Sequence, residues 1–261
     1  MSTPHDDRPA YDRHDGGMLL KRAALGPRFA RQIAATAGTD LPRPLAESDV
    51  CDLGCGYGYT AAALAELSRS VVGIEPSEAL AHHAEGLAAG LTGAAAGRLR
   101  ILRGGYQDLG RMPCAFDLVV MDNVFEHIAD QRAALGHVAT ALRPGGVLYL
   151  LVPNKLWPIE HHYHLPALGW LPLPLANAYL RASGRGERFD DAAYAPTVWK
   201  LGRLLDETAA FDWSLRLPAD LSLTQGGGPL YRVGAGALAR FPQLWAISKA
   251  LLVVARRRGD A

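Results

Sequence analysis

Short apolar runs alternate with Ala/Leu-rich stretches of helical spacing through the middle of the 261-residue chain. Five of the runs predict buried strands, because they are mainly apolar and polar residues do not alternate regularly along them. They are Val50–Leu53, Val71–Glu75, Leu99–Leu102, Phe116–Met121 and Val147–Val152. The predicted helices between them are Thr60–Arg69, Ser77–Ala89 and Gln131–Leu142. Strands alternating with helices indicate an α/β fold of three layers, α/β/α, with a doubly wound sheet.

The regions on either side of this alternating part differ from it in residue composition and in the spacing of apolar residues. Residues 18–37 have helical spacing interrupted at Gly26-Pro27, and residues 1–16 are polar; we expect 1–47 to form a helical lid region. Residues 154–199 are rich in proline, aromatic residues and histidine, which predicts a substrate-side insertion after strand 5. A helix at Val198–Thr208, strands at Phe211–Leu217 and Ala250–Arg256, and a loop at Gly226–Pro229 complete a seven-stranded domain over 48–261.

Composition excludes several classes of protein. The net charge is +1 and no basic stripe is present, so we expect no nucleic-acid partner. Three cysteines, two of them in the predicted buried part, indicate a reducing, cytoplasmic setting. No apolar run reaches about 18 residues, so no stable membrane insertion is expected. Arg256-Arg-Arg258 either ends a final strand or forms a basic amphipathic anchor, and we expect a monomer or homodimer.

A glycine-rich turn, Gly54-Cys-Gly-Tyr-Gly58, lies between the first predicted strand and its helix. Glycines let the backbone approach a ligand closely, and the following helix start offers N–H groups. Glu75 ends the second strand, where doubly wound nucleotide folds place an acid for ribose hydroxyls. The spacing Gly-x-Gly-x-Gly differs from the dinucleotide fingerprint, and no Gly-Lys-Ser/Thr of a P-loop follows.

Four motifs in order resemble those of class I S-adenosylmethionine-dependent methyltransferases. Asp52–Gly58 is similar to their first motif, and Gly73-Ile-Glu-Pro-Ser77 is similar to their second. Phe116–Met121, followed by Phe125-Glu-His-Ile128, resembles the fourth-strand motif, and Leu142–Val147 resembles the turn into strand five. The resemblance covers residues 48–153. It implies a Rossmann-like fold, S-adenosyl-L-methionine as cofactor and a methyl-transferring enzyme.

The resemblance also implies roles for individual residues. The glycine turn would hold the methionine moiety, Asp52 would meet its ammonium group, and Glu75 would bind the ribose. The position of the usual adenine-binding acid is Gly105 here, so adenine recognition shifts to neighbouring residues. The full expected set of cofactor-binding residues is Asp52, Gly54, Cys55, Gly56, Tyr57, Gly58, Glu75, Pro76, Tyr106, Gln107, Asp122 and Asn123.

Two polar segments at predicted strand ends are candidates for a general base. One is Glu126-His127 after the fourth strand, whose alternative role is to cap and pack the next helix. The other is Glu160-His-His-Tyr-His164 after the fifth strand, whose alternative is a solvated surface loop. The candidate catalytic residues are Glu126, His127, Glu160, His161 and His162. No resident metal is expected; Asp122, Glu126 and Glu160 would suit Mg²⁺, which is not favoured.

Aromatic residues around the insertion favour a saccharide acceptor, because apolar sugar faces lie on aromatic rings. They are Trp157, Tyr163, Trp170, Tyr179 and Trp199. The segment Pro153–Pro166 also resembles the insertion of a bacterial methyltransferase subgroup linked to glycan synthesis. We therefore expect O-methylation of a sugar or short oligosaccharide hydroxyl. A quinone-like or other apolar small molecule is the alternative acceptor, and a non-catalytic cofactor-binding or interaction protein is the further alternative.

Overall fold

The computed structural model describes residues 18–189, 193–223 and 229–259. Seven strands form one sheet in the order β3-β2-β1-β4-β5-β7-β6. The strands are β1 Asp49–Leu53, β2 Ser70–Glu75, β3 Leu99–Arg103, β4 Phe116–Asp122, β5 Leu142–Pro153, β6 Phe211–Leu215 and β7 Ala250–Arg257. Neighbours among β1 to β5 are parallel, whereas β7 runs antiparallel to both β5 and β6. This sheet confirms the predicted seven-stranded Rossmann-like fold.

Helices cover both faces of the sheet. In the described residues they are α1 Met18–Ala37, α2 Tyr59–Leu67, α3 Glu78–Ala89, α4 Gln131–Ala141, α5 Leu173–Ala182, α6 Val198–Thr208 and α7 Pro229–Arg240. Ile33 of α1 and Leu64 of α2 belong to one buried cluster, and Leu135 of α4 and Leu205 of α6 belong to another. The two clusters lie on opposite faces of the sheet, which gives the expected three layers.

Strand β4 explains why the sheet strands are apolar without alternation. Phe116, Val119 and Met121 pack into the cluster on one face of the sheet, whereas Leu118 and Val120 pack into the cluster on the other. Because both faces are covered, both sets of side chains are buried. The carboxyl ends of β1, β2 and β4 consequently meet at one edge of the sheet, where the polar residues that follow them are brought together.

The insertion after β5 has a small core of its own. Its buried residues are Tyr163, Leu165, Leu168, Ala176, Leu180 and Phe189. It contains one isolated bridge, between Ile159 and Pro166, and no strand of the main sheet in its described part. Helix α5 lies within it and was not predicted, because Pro172 and Pro174 suggested a loop; proline is in fact well tolerated in the first turn of a helix.

The predicted interruption of the first helix at Gly26-Pro27 is wrong. Helix α1 is continuous through both residues. Gly26 is buried, and a Cβ built on it would lie 2.7 Å from the backbone carbon and from the Cβ of Tyr59. The glycine therefore permits close contact between α1 and α2 and does not break the helix.

Two further boundaries differ from prediction. Strand β5 begins at Leu142, so the expected turn at Arg143–Gly146 lies within the strand. The pairing with β4 is irregular here, because Phe116 pairs with Leu142 whereas Leu118 already pairs with Val147. Pro229 opens α7 and does not end a loop. Residues 1–17, with Tyr11 and His14 of the expected lid region, and residues 226–228 of the expected loop lie outside the described residues.

The basic end of β7 is tied to the sheet. Arg257 donates to the carbonyl oxygen of Leu142, and Nε of Arg258 lies 2.8 Å from Oδ1 of Asp212. These contacts favour the final-strand interpretation of this segment over an anchor. Over the described ranges, no helix has both the length and the apolar character needed to cross a bilayer.

Candidate functional site

The turn after β1 has the backbone geometry that its glycines predicted. Gly54, Gly56 and Gly58 have φ of 71°, 56° and 84°, in the left-handed region that favours glycine. The N–H groups of Gly54 and Cys55 donate to the carbonyl of Ile74 at the end of β2, over 2.7 and 3.1 Å. The turn is thereby fixed to the neighbouring strand, and its Gly58 is the N-cap of α2.

Glu75 lies at the end of β2 and supports this turn. Its Oε2 accepts a hydrogen bond of 2.8 Å from the N–H of Gly56, and its Oε1 accepts one of 2.9 Å from the N–H of Ser77. Ser77 in turn caps α3, because its side-chain oxygen accepts from the N–H of Leu80. The carboxylate expected to bind the ribose is therefore buried beside the glycine turn, at the sheet edge where it was placed by sequence.

Asp52 brings a second carboxylate to the same place. It is 4% exposed, and its Oδ2 has no hydrogen-bond partner among the described residues. Burial, together with the negative charges of Asp122 and Glu75, raises the pKa of Asp52 to about 8. Three carboxyl groups thus face a common region, and a cationic ligand would stabilise their ionised forms.

Asp122 and Asn123 end β4 on the other side of this region. Asn123 has a φ of 55°, and its Nδ2 donates to Oδ1 of Asp122 over 2.6 Å. Desolvation raises the pKa of Asp122 to about 6, although Arg22 of α1 and the Asn123 hydrogen bond oppose the shift. Arg22 was not singled out in the sequence, because only the fold brings α1 close to the end of β4.

The other residues expected to bind the cofactor lie in different environments around the turn. The Cys55 side chain is buried in core contacts, since a Cβ on Gly73 would lie 2.8 Å from its Sγ. Tyr57 contacts His83 edge-on, with ring centroids 5.3 Å apart. Tyr106 is half-buried with its ring 5.8 Å from that of His137, whereas Pro76 and Gln107 are exposed. Roles of these residues toward adenine stay predictions.

The first candidate for a general base lies in a short 3-10 helix, Phe125–His127, directly after β4. Glu126 is 0% exposed, and neither of its carboxylate oxygens has a hydrogen-bond partner in the part of the chain that the structure describes. Gln131 fixes this segment, because its Nε2 donates to the carbonyl oxygens of Phe125 and Tyr194 over 2.9 and 2.8 Å. Gln131 was missed in the sequence, where it is only the first residue of a helix.

The insertion supplies the second candidate group, and the fold joins it to the first. His162 Nε2 and His127 Nε2 each lie 3.9 Å from Oε1 of Glu126. The His127 and His162 rings meet edge-on at 5.1 Å. Nδ1 of His162 lies 2.8 Å from Oε1 of Glu160, and Oε2 of Glu160 accepts from the N–H of His162 over 2.8 Å. A carboxylate therefore orients the His162 ring.

His161 is the one expected catalytic residue that lies apart from this cluster. It is exposed, its ring meets that of His162 edge-on with centroids 5.6 Å apart, and it does not belong to the group of donor atoms formed by Glu126, His127 and His162. We name the residues Glu126, His127, His162 and Glu160 the Glu/His cluster. The structure thus brings together four of the five residues that were predicted from sequence.

The electrostatics of the Glu/His cluster are dominated by burial. Burial raises the pKa of Glu126 to about 8, with smaller effects from the charge of His162, which lowers it, and of Asp122 and Glu160, which raise it. Burial also acts to raise the pKa of Glu160, but its hydrogen bonds to His162 and Tyr163 outweigh that effect and lower it. Two carboxyl groups with opposite shifts thus flank one imidazole ring, an arrangement typical of proton-handling sites.

An electrostatic interaction and a packing contact join the glycine turn to the Glu/His cluster. The charge of Asp122 acts on both Asp52 and Glu126, so one side chain is within electrostatic reach of both groups. Val124, two residues before Glu126, lies against Gly54, because a Cβ there would be 2.5 Å from Cγ2 of Val124. The two groups of residues are therefore parts of one site.

An open cleft of about 820 Å³ adjoins the cluster on the insertion side. It is lined by His162, Tyr163, Arg181, Gly184, Arg185, Gly186, Glu187 and Arg188. Nη1 of Arg185 donates to the carbonyl of Tyr163 over 2.8 Å, which fixes this guanidinium group at the wall. The arginines were not predicted as site residues, since isolated arginines in a sequence most often lie on a solvated surface.

Comparison with known proteins places this geometry in a family. The model of a methyltransferase domain family matches residues 23–195. A probable S-adenosylmethionine-dependent methyltransferase of Mycolicibacterium smegmatis is 33% identical over 108 residues, 41% of this chain and 39% of that protein. A ubiquinone biosynthesis O-methyltransferase of Rhizobium rhizogenes is 33% identical over 113 residues, 43% of this chain and 44% of that protein. The chain thus spans less than half of the length of these two relatives.

Solved structures show the same fold. The plantazolicin methyltransferase BamL, in complex with a triazolic desmethylPZN analogue and SAH, matches with a TM-score of 0.59 at 12% identity. The match covers 96% of this chain and 94% of that one. The chain belongs to the methyltransferase domain family, which confirms the family that its four motifs resembled.

Proposed function

We propose that this protein is an S-adenosylmethionine-dependent O-methyltransferase that acts on a hydroxyl group of a small aromatic acceptor. The observation that carries the proposal is the Glu/His cluster at the same sheet edge as the glycine turn, with Asp122 acting electrostatically on both. A methyl acceptor with a hydroxyl group needs both a place beside the methyl donor and a group that assists loss of its proton.

The residues at the glycine turn fit S-adenosylmethionine. The carboxylate of Asp52 is buried with an oxygen that lacks a partner in the described residues, and Glu75 and Asp122 add negative charge nearby. These groups would receive the cationic methionine end and the ribose hydroxyls of the cofactor. When bound, the cofactor supplies an activated methyl group on a sulfonium; the protein contributes alignment of the acceptor and exclusion of water.

The Glu/His cluster would assist removal of the acceptor proton. His162 is held by Glu160 through Nδ1, so its Nε2 is directed toward Glu126 and His127. A ring oriented by a carboxylate has a fixed tautomer, which is what a proton acceptor requires. Gln131 holds the Phe125–His127 segment in place and joins it to Tyr194 of the insertion.

An aromatic acceptor is favoured by the cleft beside His162. Arg181, Arg185 and Arg188 line this cleft, and guanidinium groups stack on aromatic faces and attract ionised phenols or carboxylates. Relatives that match this chain include ubiquinone biosynthesis O-methyltransferases. The aromatic residues expected to form a sugar platform are divided, because Tyr163 is buried in the insertion core whereas Trp170 and Trp199 are exposed.

The test is transfer of labelled methyl from S-adenosylmethionine by the full chain to two panels of acceptors. One panel contains catechols and hydroxylated quinols, and the other contains mono- and oligosaccharides. We expect label on phenolic hydroxyls and loss of most turnover in Glu126→Gln. Label on sugars alone would contradict the aromatic acceptor and support the saccharide. Cofactor binding without transfer to either panel would contradict O-methylation of these acceptors and support a cofactor-binding role.

A further inference from the structure

The buried carboxyl group of Glu126 has no partner among the described residues that explains its position. It is completely buried, and within the described ranges neither oxygen accepts a hydrogen bond from another residue. A buried carboxyl group without hydrogen bonds or a counter-charge costs several kcal/mol in general, so such groups are normally paired or coordinate metals. Two imidazole nitrogens, Nε2 of His127 and Nε2 of His162, each lie 3.9 Å from its Oε1, which is beyond hydrogen-bond distance.

The geometry points to a divalent transition-metal site formed by Glu126, His127 and His162. One donor atom from each of these residues lies within 4.8 Å of the other two. Two imidazole nitrogens and one carboxylate oxygen form a common ligand set for zinc and for similar metals, with metal–ligand distances of about 2.0–2.2 Å. Donors of a tetrahedral site are then roughly 3.4 Å apart. The two distances of 3.9 Å from Glu126 to the imidazole nitrogens would shorten by about half an ångström, whereas the two nitrogens, which lie within 4.8 Å of each other, would approach by up to about 1.4 Å.

Glu160 supports the proposed ligand His162 through the ring nitrogen that does not face the metal. Metal-binding histidines commonly give their second ring N–H to a carboxylate, which fixes the tautomer and makes the ligating nitrogen more basic. Nδ1 of His162 lies 2.8 Å from Oε1 of Glu160, so Nε2 is the nitrogen directed at the proposed cation. Glu160 is itself fixed by the backbone N–H groups of His162 and Tyr163 over 2.8 and 2.6 Å.

This site differs from the magnesium set considered in the sequence. That set required Asp122, Glu126 and Glu160, but both carboxylate oxygens of Glu160 are engaged, Oε1 with Nδ1 of His162 and Oε2 with the N–H groups of His162 and Tyr163. Magnesium also prefers six oxygen ligands, whereas the assembled donors include two nitrogens. The ligand set therefore selects zinc-like ions over magnesium.

Charge in the surroundings favours a cation. Asp122 and Glu160 both add negative potential at Glu126, and the two histidines are neutral when they act as ligands. Three protein ligands leave one position of a tetrahedral ion open. An acceptor hydroxyl bound there would lose its proton more readily, so in the metal-bound form the ion, and not Nε2 of His162, would assist the proton loss in the methyl transfer proposed above. That last consequence rests on the proposed function, whereas metal binding itself does not.

Metal binding by the full chain, stripped with chelator, tests the site directly. We expect one Zn²⁺ per chain by competition titration, and a Co²⁺ visible spectrum typical of tetrahedral coordination, with no comparable binding of Mg²⁺. Glu126→Gln and His162→Ala should each lower Zn²⁺ affinity at least tenfold. His127→Gln, at a position whose side chain is 25% exposed, provides a third ligand variant that is well placed to fold. Glu160→Gln should lower the affinity about 10–100-fold, as for other groups that support a metal-bound histidine.

His161→Ala is the matched control, because His161 lies next to His162 in the chain but outside the three donors. It should leave Zn²⁺ affinity unchanged. Absence of Zn²⁺ binding to the wild type, or equal affinity in all ligand variants, would overturn the site and would favour an ion pair of protonated histidines with Glu126. Tight, variant-sensitive Zn²⁺ binding without methyl transfer would support the site and count against the proposed function alone.

Discussion

Val124 lies so close to Gly54 that a Cβ on the glycine would be 2.5 Å from Cγ2 of the valine. Gly54 begins the turn after β1, and Val124 precedes the Glu126-His127 pair after β4. The contact therefore makes the spacing between the glycine turn and the Glu/His cluster depend on the absence of a side chain at residue 54. It also provides the first of four predictions.

We expect Gly54→Ala to weaken cofactor binding and to lower stability. The added methyl group would displace Val124, and the φ of 71° is unfavourable for alanine by about 1–2 kcal/mol. Calorimetric titration with S-adenosylmethionine and urea unfolding measure the two effects. Gly56→Ala is the control, because its φ is 56° but its Cβ would meet no atom within 4 Å. Equal effects of the two changes would show that the contact with Val124 has no role.

Asp52→Asn is expected to separate cofactor affinity from stability. The pKa of Asp52 is raised to about 8 by burial and by Asp122 and Glu75, so the folded chain binds a proton here that the unfolded chain releases near pH 4. The stability that this proton provides is complete below about pH 4 and is lost as the pH rises through about 8. Asn needs no proton, so the variant should gain stability relative to wild type between these values.

Cofactor binding should show the opposite trend in the same variant. The ammonium group of S-adenosylmethionine favours ionised Asp52, so wild-type affinity should increase with pH up to about 8 and binding should release a proton. Asp52→Asn should bind more weakly and with little pH dependence from this group. Calorimetry in two buffers of different ionisation enthalpy measures the proton release, and an unchanged proton count would contradict the assignment of Asp52.

Glu75→Gln should reduce cofactor affinity, whereas His127→Gln should reduce turnover. Glu75 accepts from the N–H groups of Gly56 and Ser77, so an amide would lose one of these charge-assisted bonds and reduce cofactor affinity about tenfold or more. His127→Gln should leave cofactor affinity near that of wild type and lower turnover. Glu78→Gln, at an exposed position in α3, is the control for the first change. Comparable loss of cofactor affinity in the His127 variant would contradict this division.

Asp117→Asn should destabilise the fold without changing cofactor affinity. Asp117 is buried at the start of β4, and its Oδ2 accepts from the N–H of Asp49 over 2.9 Å and from Nη1 of Arg143 over 2.8 Å. Loss of the negative charge should cost about 1–3 kcal/mol in urea unfolding. Asp212→Asn, which removes a carboxylate 71% exposed and paired with Arg258, should cost less than about 1 kcal/mol. Similar losses in both would show that the Asp117 pair has no special stabilising role.

Much of the sheet could be predicted because β1, β2 and β4 are short, mainly apolar runs that are largely buried, and even the edge strand β3 keeps three apolar residues of five. Helix α1 was divided wrongly because Gly26 is present for a contact with Tyr59, which no local pattern reveals. The same limit applies to the site. Because parallel strands end at the same edge of a sheet, the sequence predicted that Glu126 and the His161–His162 pair lie at one edge. The sequence could not show which of the two adjacent histidines faces Glu126. In the structure it is His162, whose Nε2 lies 3.9 Å from Oε1 of Glu126.

The position of β7 has a consequence for how the chain folds. Strand β6 pairs only with β7 among the described strands, and β7 also pairs along most of β5. Strand β7 lies between β5 and β6 in the sheet, but the ribosome adds it only after residues 154–249 have been synthesised. During this interval the edge of β5 is unpaired, and such an edge is a template for association with other chains. Folding of this protein during synthesis should consequently be most vulnerable to aggregation just before residues 250–257 are added.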